Sequence, residues 1–141
     1  MSLFPEGMPA PAPTADDAGF WAHCRQHRLC FQACADCARV RHPPLPVCGH
    51  CGSMHTLWKE APATGQLYSY SIAHHPSLEI LRGQPPYVIA LVIFPALDDV
   101  RLVTNILDAD PAALQIGAAV TLVWELAGNG IPLPRFRLQA A

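Results

Sequence analysis

The chain has 141 residues, of which 51% are apolar and only 14% charged, with a formal net charge of −2. That length allows one medium domain or two small ones and suffices for a real core, while so few charges point to a surface partly hidden by a partner. A single lysine, Lys59, and eight dispersed arginines exclude a surface built in bulk for polyanions, so nucleic acid is not an expected partner.

Residues 1–15 carry Pro5, Pro9, Pro11 and Pro13 and predict a disordered or extended proline-rich tail. The segment has no basic start and no apolar run, so it does not read as a secretory signal. No stretch is long and apolar enough to span a bilayer, and no membrane partner is expected. Six cysteines without an export signal point to a reducing, cytoplasmic setting, where thiols bind metal more readily than they pair.

A helical segment is expected over residues 16–33. Asp16-Asp17 supply the start signal, and the helix would run from Ala18 to about His27. Phe20, His23, Cys24 and His27 then share a face, with Trp21 beside it. Leu29 to Gln32 reads as a short strand or a second helical turn.

The strongest signal follows. Cys34-Ala35-Asp36-Cys37 and Cys48-Gly49-His50-Cys51 are separated by ten residues. Two such pairs wrap one tetrahedral ion, and thiolate sulfur suits Zn²⁺. A zinc ribbon is expected over residues 34–56, with Pro43, Pro44 and Pro46 stiffening its loop. Val40, Leu45, Val47 and Met54 are too few to fold it, so the ion must supply the stabilisation. Four sulfurs leave no open position, which makes the metal structural rather than catalytic. The spacing leaves iron, as in rubredoxin, open. A redox Cys-x-x-Cys is the weaker reading of each pair. His50 and His55 read as solvent-facing bystanders, and Cys24 and Cys30 as small buried hydrophobes.

From residue 57 to 141 the pattern turns to strands. Gly65 to His75 alternates and would place Tyr68, Tyr70, Ile72 and His74 on one face. Tyr87 to Phe94 is apolar on both faces. Val100 to Leu107, Ala118 to Leu126 and Leu133 to Leu138 complete five strands, separated by turn signals such as Gly83 to Pro86 and Gly128-Asn129-Gly130. Five short strands after a knuckle unit predict a small Greek-key barrel of the OB type. The fold class expected is mostly β: an N-terminal helix, a rubredoxin-like zinc ribbon, then a five-stranded OB-fold barrel.

The order of these parts carries a resemblance. Phe20-Trp21 on a helix, the two knuckles with Cys51-Gly52-Ser53, Gly65-Gln66-Leu67-Tyr68-Ser69-Tyr70, Pro86 to Val92, Ile116-Gly117 and Leu133-Pro134-Arg135-Phe136 occur in sequence. Over about residues 16 to 138 the chain resembles the acyl-CoA-associated family that joins a rubredoxin-like zinc ribbon to an OB-fold. The resemblance implies a non-catalytic accessory subunit of a thiolase-like enzyme, or of an aldolase built on that fold or a hydratase, that helps bind coenzyme A thioesters. The family pattern has glycine after the first knuckle, where this chain has Ala38; a glycine there would ease a positive φ.

On that reading Arg39, Arg41 and Arg82 are candidates for the phosphates of coenzyme A, because guanidinium binds phosphate bidentately. Phe20 and Trp21 are candidate walls for the acyl or pantetheine chain. His74 and His75 have no nucleophile or carboxylate near them in sequence, and no catalytic residue is assigned. Two other functions compete. One is a single-stranded nucleic-acid module with Tyr68 and Tyr70 as stacking platforms, disfavoured by the five dispersed cations after residue 57. The other is a free rubredoxin-like metal protein.

Overall fold

The computed structural model of the chain describes residues 2–140, so Met1 of the expected tail and Ala141 of the expected barrel domain lie outside the described residues. Helix α1 (Ala18–Cys24) comes first, then strands β1 (Cys30–Cys34), β2 (Val40–Arg41) and β3 (Thr56–Glu60). Strands β4 (Thr64–Ala73), β5 (Tyr87–Phe94), β6 (Val100–Ile106), β7 (Ala119–Leu126) and β8 (Pro132–Leu138) follow. The architecture is mostly β, with one short helix, a four-cysteine ribbon and a closed five-stranded barrel.

α1 stops at Cys24 rather than at His27. His27 sits at φ 55° and its N–H donates to the Cys24 carbonyl at 2.8 Å, so a left-handed residue turns the chain out of the helix. At the other end Asp17 does not cap the helix with its side chain. Its Oδ1 accepts instead from the Thr14 N–H at 2.6 Å and the Thr14 hydroxyl at 3.0 Å. The first of these bonds holds the Asp17 carboxyl below its ordinary range.

β2, β1 and β3 form one antiparallel sheet. The boundary expected between residues 56 and 57 therefore falls inside β3, and the barrel strands begin only at Thr64. Likewise β1, expected within the helical segment, is the central strand of the ribbon sheet. All five residues of β1 are buried, because its two edges are paired and its faces meet α1 and the barrel.

The barrel order is β4-β5-β6-β8-β7. Every strand pair is antiparallel except β6 with β8. Val88, Ala90, Val92 and Phe94 of β5 alternate inward, facing Leu102 and Ile106 of β6, Val120 of β7 and Phe136 of β8. Gly65 is required by close approach: a Cβ there would lie 2.5 Å from Val92 Cγ1. β4 does not present Tyr68 and Tyr70 together. The register steps from Leu67↔Val92 to Ser69↔Leu91, so Tyr68 is the extra residue of a bulge. Tyr70 then packs on the core while Tyr68 stands outside, under the Arg101 guanidinium at 4.0 Å.

One core runs through both parts. Phe31 of β1 is fully buried, 5.4 Å from the ring of Phe94, which in turn lies 6.2 Å from Phe136. Trp58 of β3 covers Gly19 of α1 so closely that no side chain fits there.

Residues 2–15, the tail expected to be disordered or extended, run beside the barrel with a turn at Glu6-Gly7. Glu125 accepts from the Ser2 hydroxyl at 3.3 Å and the Leu3 N–H at 3.1 Å. Phe4 meets Tyr87 edge-on at 5.0 Å, and Asn129 Nδ2 donates to the Pro11 carbonyl at 2.9 Å. Prolines stiffen the segment beyond that turn, and its apolar side chains then have a wall to cover.

Candidate metal centre and ligand surfaces

The two knuckles are built alike. In each, the residue after the second cysteine closes a turn: Ala38 N–H donates to the Cys34 carbonyl and Gly52 N–H to the Cys48 carbonyl, both at 2.9 Å. Both residues are left-handed, Ala38 at φ 65° and Gly52 at φ 78°. Ala38 thus adopts the glycine conformation that its sequence position demands. The turns aim backbone N–H groups at sulfur, Cys37 N at Cys34 Sγ and His50 N at Cys48 Sγ, each 3.4 Å away. Such donors favour the thiolate form. The Cys37 N–H is the main reason that the Cys34 thiol is held down to about 6. The N–H groups of Cys51 and His50 lower Cys48 in the same way.

All four sulfurs lie within 4.8 Å of one another, with Cys34–Cys51 at 3.5 Å and Cys37–Cys48 at 3.7 Å. A tetrahedron of Zn–S bonds near 2.3 Å puts sulfurs about 3.8 Å apart, so the set fits one such ion. Asp36 ties the knuckles together. Its carboxylate accepts from the Ser53 hydroxyl and lies 3.2 Å from His55 Nδ1. His55 faces solvent, as expected, and also sits beside Asp36. Cys24 and Cys30 lie apart from the metal set and are buried, and burial pushes the Cys24 thiol up to about 12. Such a thiol packs rather than reacts.

The arginines divide. Arg41 turns inward, its Nε donating to Gln32 Oε1 at 2.7 Å and its Nη2 to the Leu45 carbonyl at 3.2 Å. It braces the proline loop, while its Nη1 has no partner among the described residues. Arg82 pairs with Glu79 at 2.7 Å on an exposed turn, which leaves it a weak candidate. Arg39 is exposed and, among the described residues, has no ion-pair partner. It lines an open polar depression of about 650 Å³ together with His50 and Lys59. Val40 beside it is anchored to the barrel, its N–H donating to Asp98 Oδ2 at 2.9 Å. Sequence reasoning missed Lys59; its being the sole lysine is the one signal that could have marked it.

Phe20 is buried and Trp21 half-buried, and both border a second cleft of about 220 Å³. His42 and Arg135, which sequence reasoning did not select, border it too. The His42 ring lies 5.0 Å from Phe20 and 5.3 Å from Phe31, and burial pushes its pKa down to about 4. His74 and His75 are exposed at the end of β4 and meet no nucleophile among the described hydrogen bonds. The other cations of the barrel are dispersed: Arg101 on Tyr68, Arg137 paired with Asp108 at 2.9 Å, and Arg135 half-buried.

A knuckle-bearing ribbon fused through one core to an OB-type barrel defines a two-part metal-binding protein of mostly β structure. The family descriptions that match are the ChsH2 rubredoxin-like zinc ribbon domain, over residues 21–54, and the ChsH2 C-terminal OB-fold domain, over residues 58–125. The chain belongs to this ChsH2-type DUF35 family. It is 43% identical over 92% of its length to a probable enoyl-CoA hydratase alpha subunit of Thermomonospora curvata, but spans only 39% of that protein. It is 30% identical to a DUF35 domain-containing scaffold protein of Methanothermobacter thermautotrophicus, over 74% of this chain and 77% of that one. Among solved structures, a chain of an Ltp2-ChsH2(DUF35) aldolase matches at 43% identity with a TM-score of 0.81, over 92% of this chain and 98% of that one. A DUF35 protein of Sulfolobus solfataricus, at 20% identity and a TM-score of 0.63, shares the fold, over 89% of this chain and 86% of that one.

Proposed function

We propose that the chain is a non-catalytic accessory subunit of a thiolase-type enzyme that makes or breaks a carbon–carbon bond, and that it helps bind the acyl-CoA substrate in the cytoplasm. The observation that carries this reading is the match, at 43% identity over 98% of its length, to the ChsH2(DUF35)-type chain of an aldolase. Two physical features support it. The thiols belong either to the metal set or to buried, proton-holding positions, so no nucleophile is poised for thioester chemistry. The barrel also presents an apolar stripe outward, with Val103 of β6 opposite Leu91 of β5 and Ile89 two residues along, a surface suited to a partner.

The metal is zinc on this reading, and it fixes the ribbon; four sulfurs fill its coordination and leave no place for substrate. The residues of this chain would bind and orient. Arg39, with Lys59 and His50 beside it, would take the phosphates of coenzyme A. Phe20 and Trp21 would wall the chain that follows. The nucleophile and the acid–base groups belong to the partner, and positioning is this subunit's contribution to rate.

Isolation of the native complex tests the proposal. A thiolase-type or hydratase partner should co-purify, and acyl-CoA affinity of the complex should fall about tenfold in Arg39→Gln or Lys59→Gln, with a shallower salt dependence. Acyl-CoA turnover by this chain alone would end the reading. If the two substitutions alter only metal affinity, the cations merely balance the thiolates and the phosphate role fails.

A further inference from the structure

The β7–β8 hairpin turns through Gly128-Asn129-Gly130, all three exposed. Ala127 N–H donates to the Ile131 carbonyl and Gly130 N–H to the Ala127 carbonyl, both at 2.9 Å, and Gly130 is left-handed at φ 81°. A three-residue loop of this kind wants glycine at its last position, and here that places a glycine directly after an asparagine. In such a pair the glycine nitrogen reaches the asparagine side-chain carbon unhindered, because no Cβ stands in the way. Space around Gly130 is open: apart from its chain neighbours, no atom lies within 4 Å of where a Cβ would sit.

Both ends of the Asn129 amide are engaged. Its Oδ1 accepts from the Ile131 N–H at 3.2 Å, and its Nδ2 donates to the Pro11 carbonyl at 2.9 Å. The first contact polarises the side-chain carbonyl and stands where negative charge develops when a nucleophile adds to it. The second ties the hairpin tip to the N-terminal segment, 118 residues away in sequence. That segment is tethered at points rather than packed along its length. A cleft of about 320 Å³ lies between residues 2–9 and the ends of β7 and β8, while Asn129, Glu125 and the Phe4–Tyr87 edge contact tie the segment down.

We propose that Asn129 is a deamidation site whose conversion releases the N-terminal segment from the barrel. The Gly130 nitrogen bonds to Asn129 Cγ and the Cγ–Nδ2 bond breaks. The side-chain nitrogen leaves as ammonia, carrying the proton that Gly130 gives up. Water then opens the cyclic imide at either carbonyl and leaves aspartate or isoaspartate, with no oxidant or second protein required. Either product replaces the donor that faces Pro11 with a carboxylate, so a hydrogen bond becomes a meeting of two acceptors. The restraint is mutual. Pro11 holds Nδ2 and keeps the side chain from turning toward Gly130, and the Gly130 N–H must leave Ala127 before its nitrogen attacks. A loosened segment therefore speeds the reaction, and the reaction keeps the segment loose. The site acts as a one-way latch and does not rest on the acyl-CoA reading.

The full, metal-loaded chain is held near neutral pH and sampled by peptide mass spectrometry, with backbone order parameters followed in parallel. The amide-to-acid mass shift should appear at Asn129, as isoaspartate and aspartate together, and faster as pH rises. Asn105, buried and bonded to the Val88 carbonyl, should stay an amide. Asn129→Asp should lower the order parameters of residues 3–12 from about 0.85 to below about 0.6. Phe4→Ala, which loosens the segment without touching the turn, should speed conversion several-fold, and Gly130→Ala should slow it several-fold. If Gly130→Ala does not fold, the product on the unaltered chain decides, because isoaspartate arises only through attack by the Gly130 nitrogen. Aspartate alone overturns the site, as does a folded chain that keeps its amide while the urea-unfolded chain converts. An Asn129→Asp chain whose N-terminal segment stays ordered, or a Phe4→Ala chain that converts no faster, overturns the latch.

Discussion

Between the first knuckle and β3 the ribbon buries few apolar side chains beyond Val40 and its own cysteines, whereas the barrel strands bury Leu67, Val88, Val92, Phe94, Leu102, Ile106, Val120 and Phe136. The ribbon thus relies on hydrogen bonds and on a cysteine set that can hold an ion, and the barrel on burial. The two nonetheless are not independent. β1 carries Cys34 at one end and Phe31 in its middle, so a single strand serves both the metal set and the common core. A substitution in β1 should be felt by both halves, and a change in the knuckles mainly by one.

Metal removal should separate the halves most. Binding energies for four-sulfur sites are on the order of 10 kcal/mol or more. Chelation, or Cys48→Ser, should abolish amide protection over residues 34–56 while β4 to β8 remain protected, as read by hydrogen exchange. Equal loss in both halves would mean that the barrel also depends on the ion. Phe31→Ala should do the reverse of separating them. It should cost about 3–5 kcal/mol and lower the unfolding temperature of ribbon and barrel together. A barrel that keeps its stability would show that the common core is nominal.

His42 is the ribbon residue that borrows the barrel's kind of stabilisation. Burial depresses its folded-state pKa to about 4, below the roughly 6.5 of the unfolded chain. Between those values the unfolded state holds the extra proton and the folded state does not. Its contribution is complete above about pH 6.5 and declines as pH falls toward 4, by a few kcal/mol. An imidazole titration with a midpoint near 4 is expected, and His42→Phe should flatten this part of the pH profile. A midpoint near 6.5 would place the ring in solvent. Ala38→Gly is the gentlest probe. It removes a left-handed alanine from the first knuckle and should raise ribbon stability by about 1 kcal/mol, with the barrel unmoved.

Much of this was legible in the sequence where the chemistry is local. Four cysteines at fixed spacing gave the metal set, and a missing glycine marked the left-handed Ala38. Five strands and their turns were readable from alternation. What was not legible depends on distant partners. The bulge at Tyr68 flips the face of everything after it, and nothing in Gln66 to Tyr70 announces it. Arg41 looked as free as Arg39 until Gln32, nine residues earlier, took its Nε. Helix α1 lost its last turn to a left-handed His27. The cleft beside Trp21 draws Asp17, His42, Val103 and Arg135 from four separate elements, so only Phe20 and Trp21 could be suspected. Proline content pointed to a disordered or extended tail but could not reveal its contacts with Glu125 and Asn129.

The central claim is that this ribbon-and-barrel unit serves a catalyst that it does not itself contain. The most direct measurement is thioester turnover by the purified thiolase-type partner, with and without the metal-loaded chain added back. Carbon–carbon bond chemistry that is weak or absent in the partner alone and restored in proportion to this chain is the predicted result. A partner equally active without it, or a chain that turns over the thioester on its own, would contradict the account.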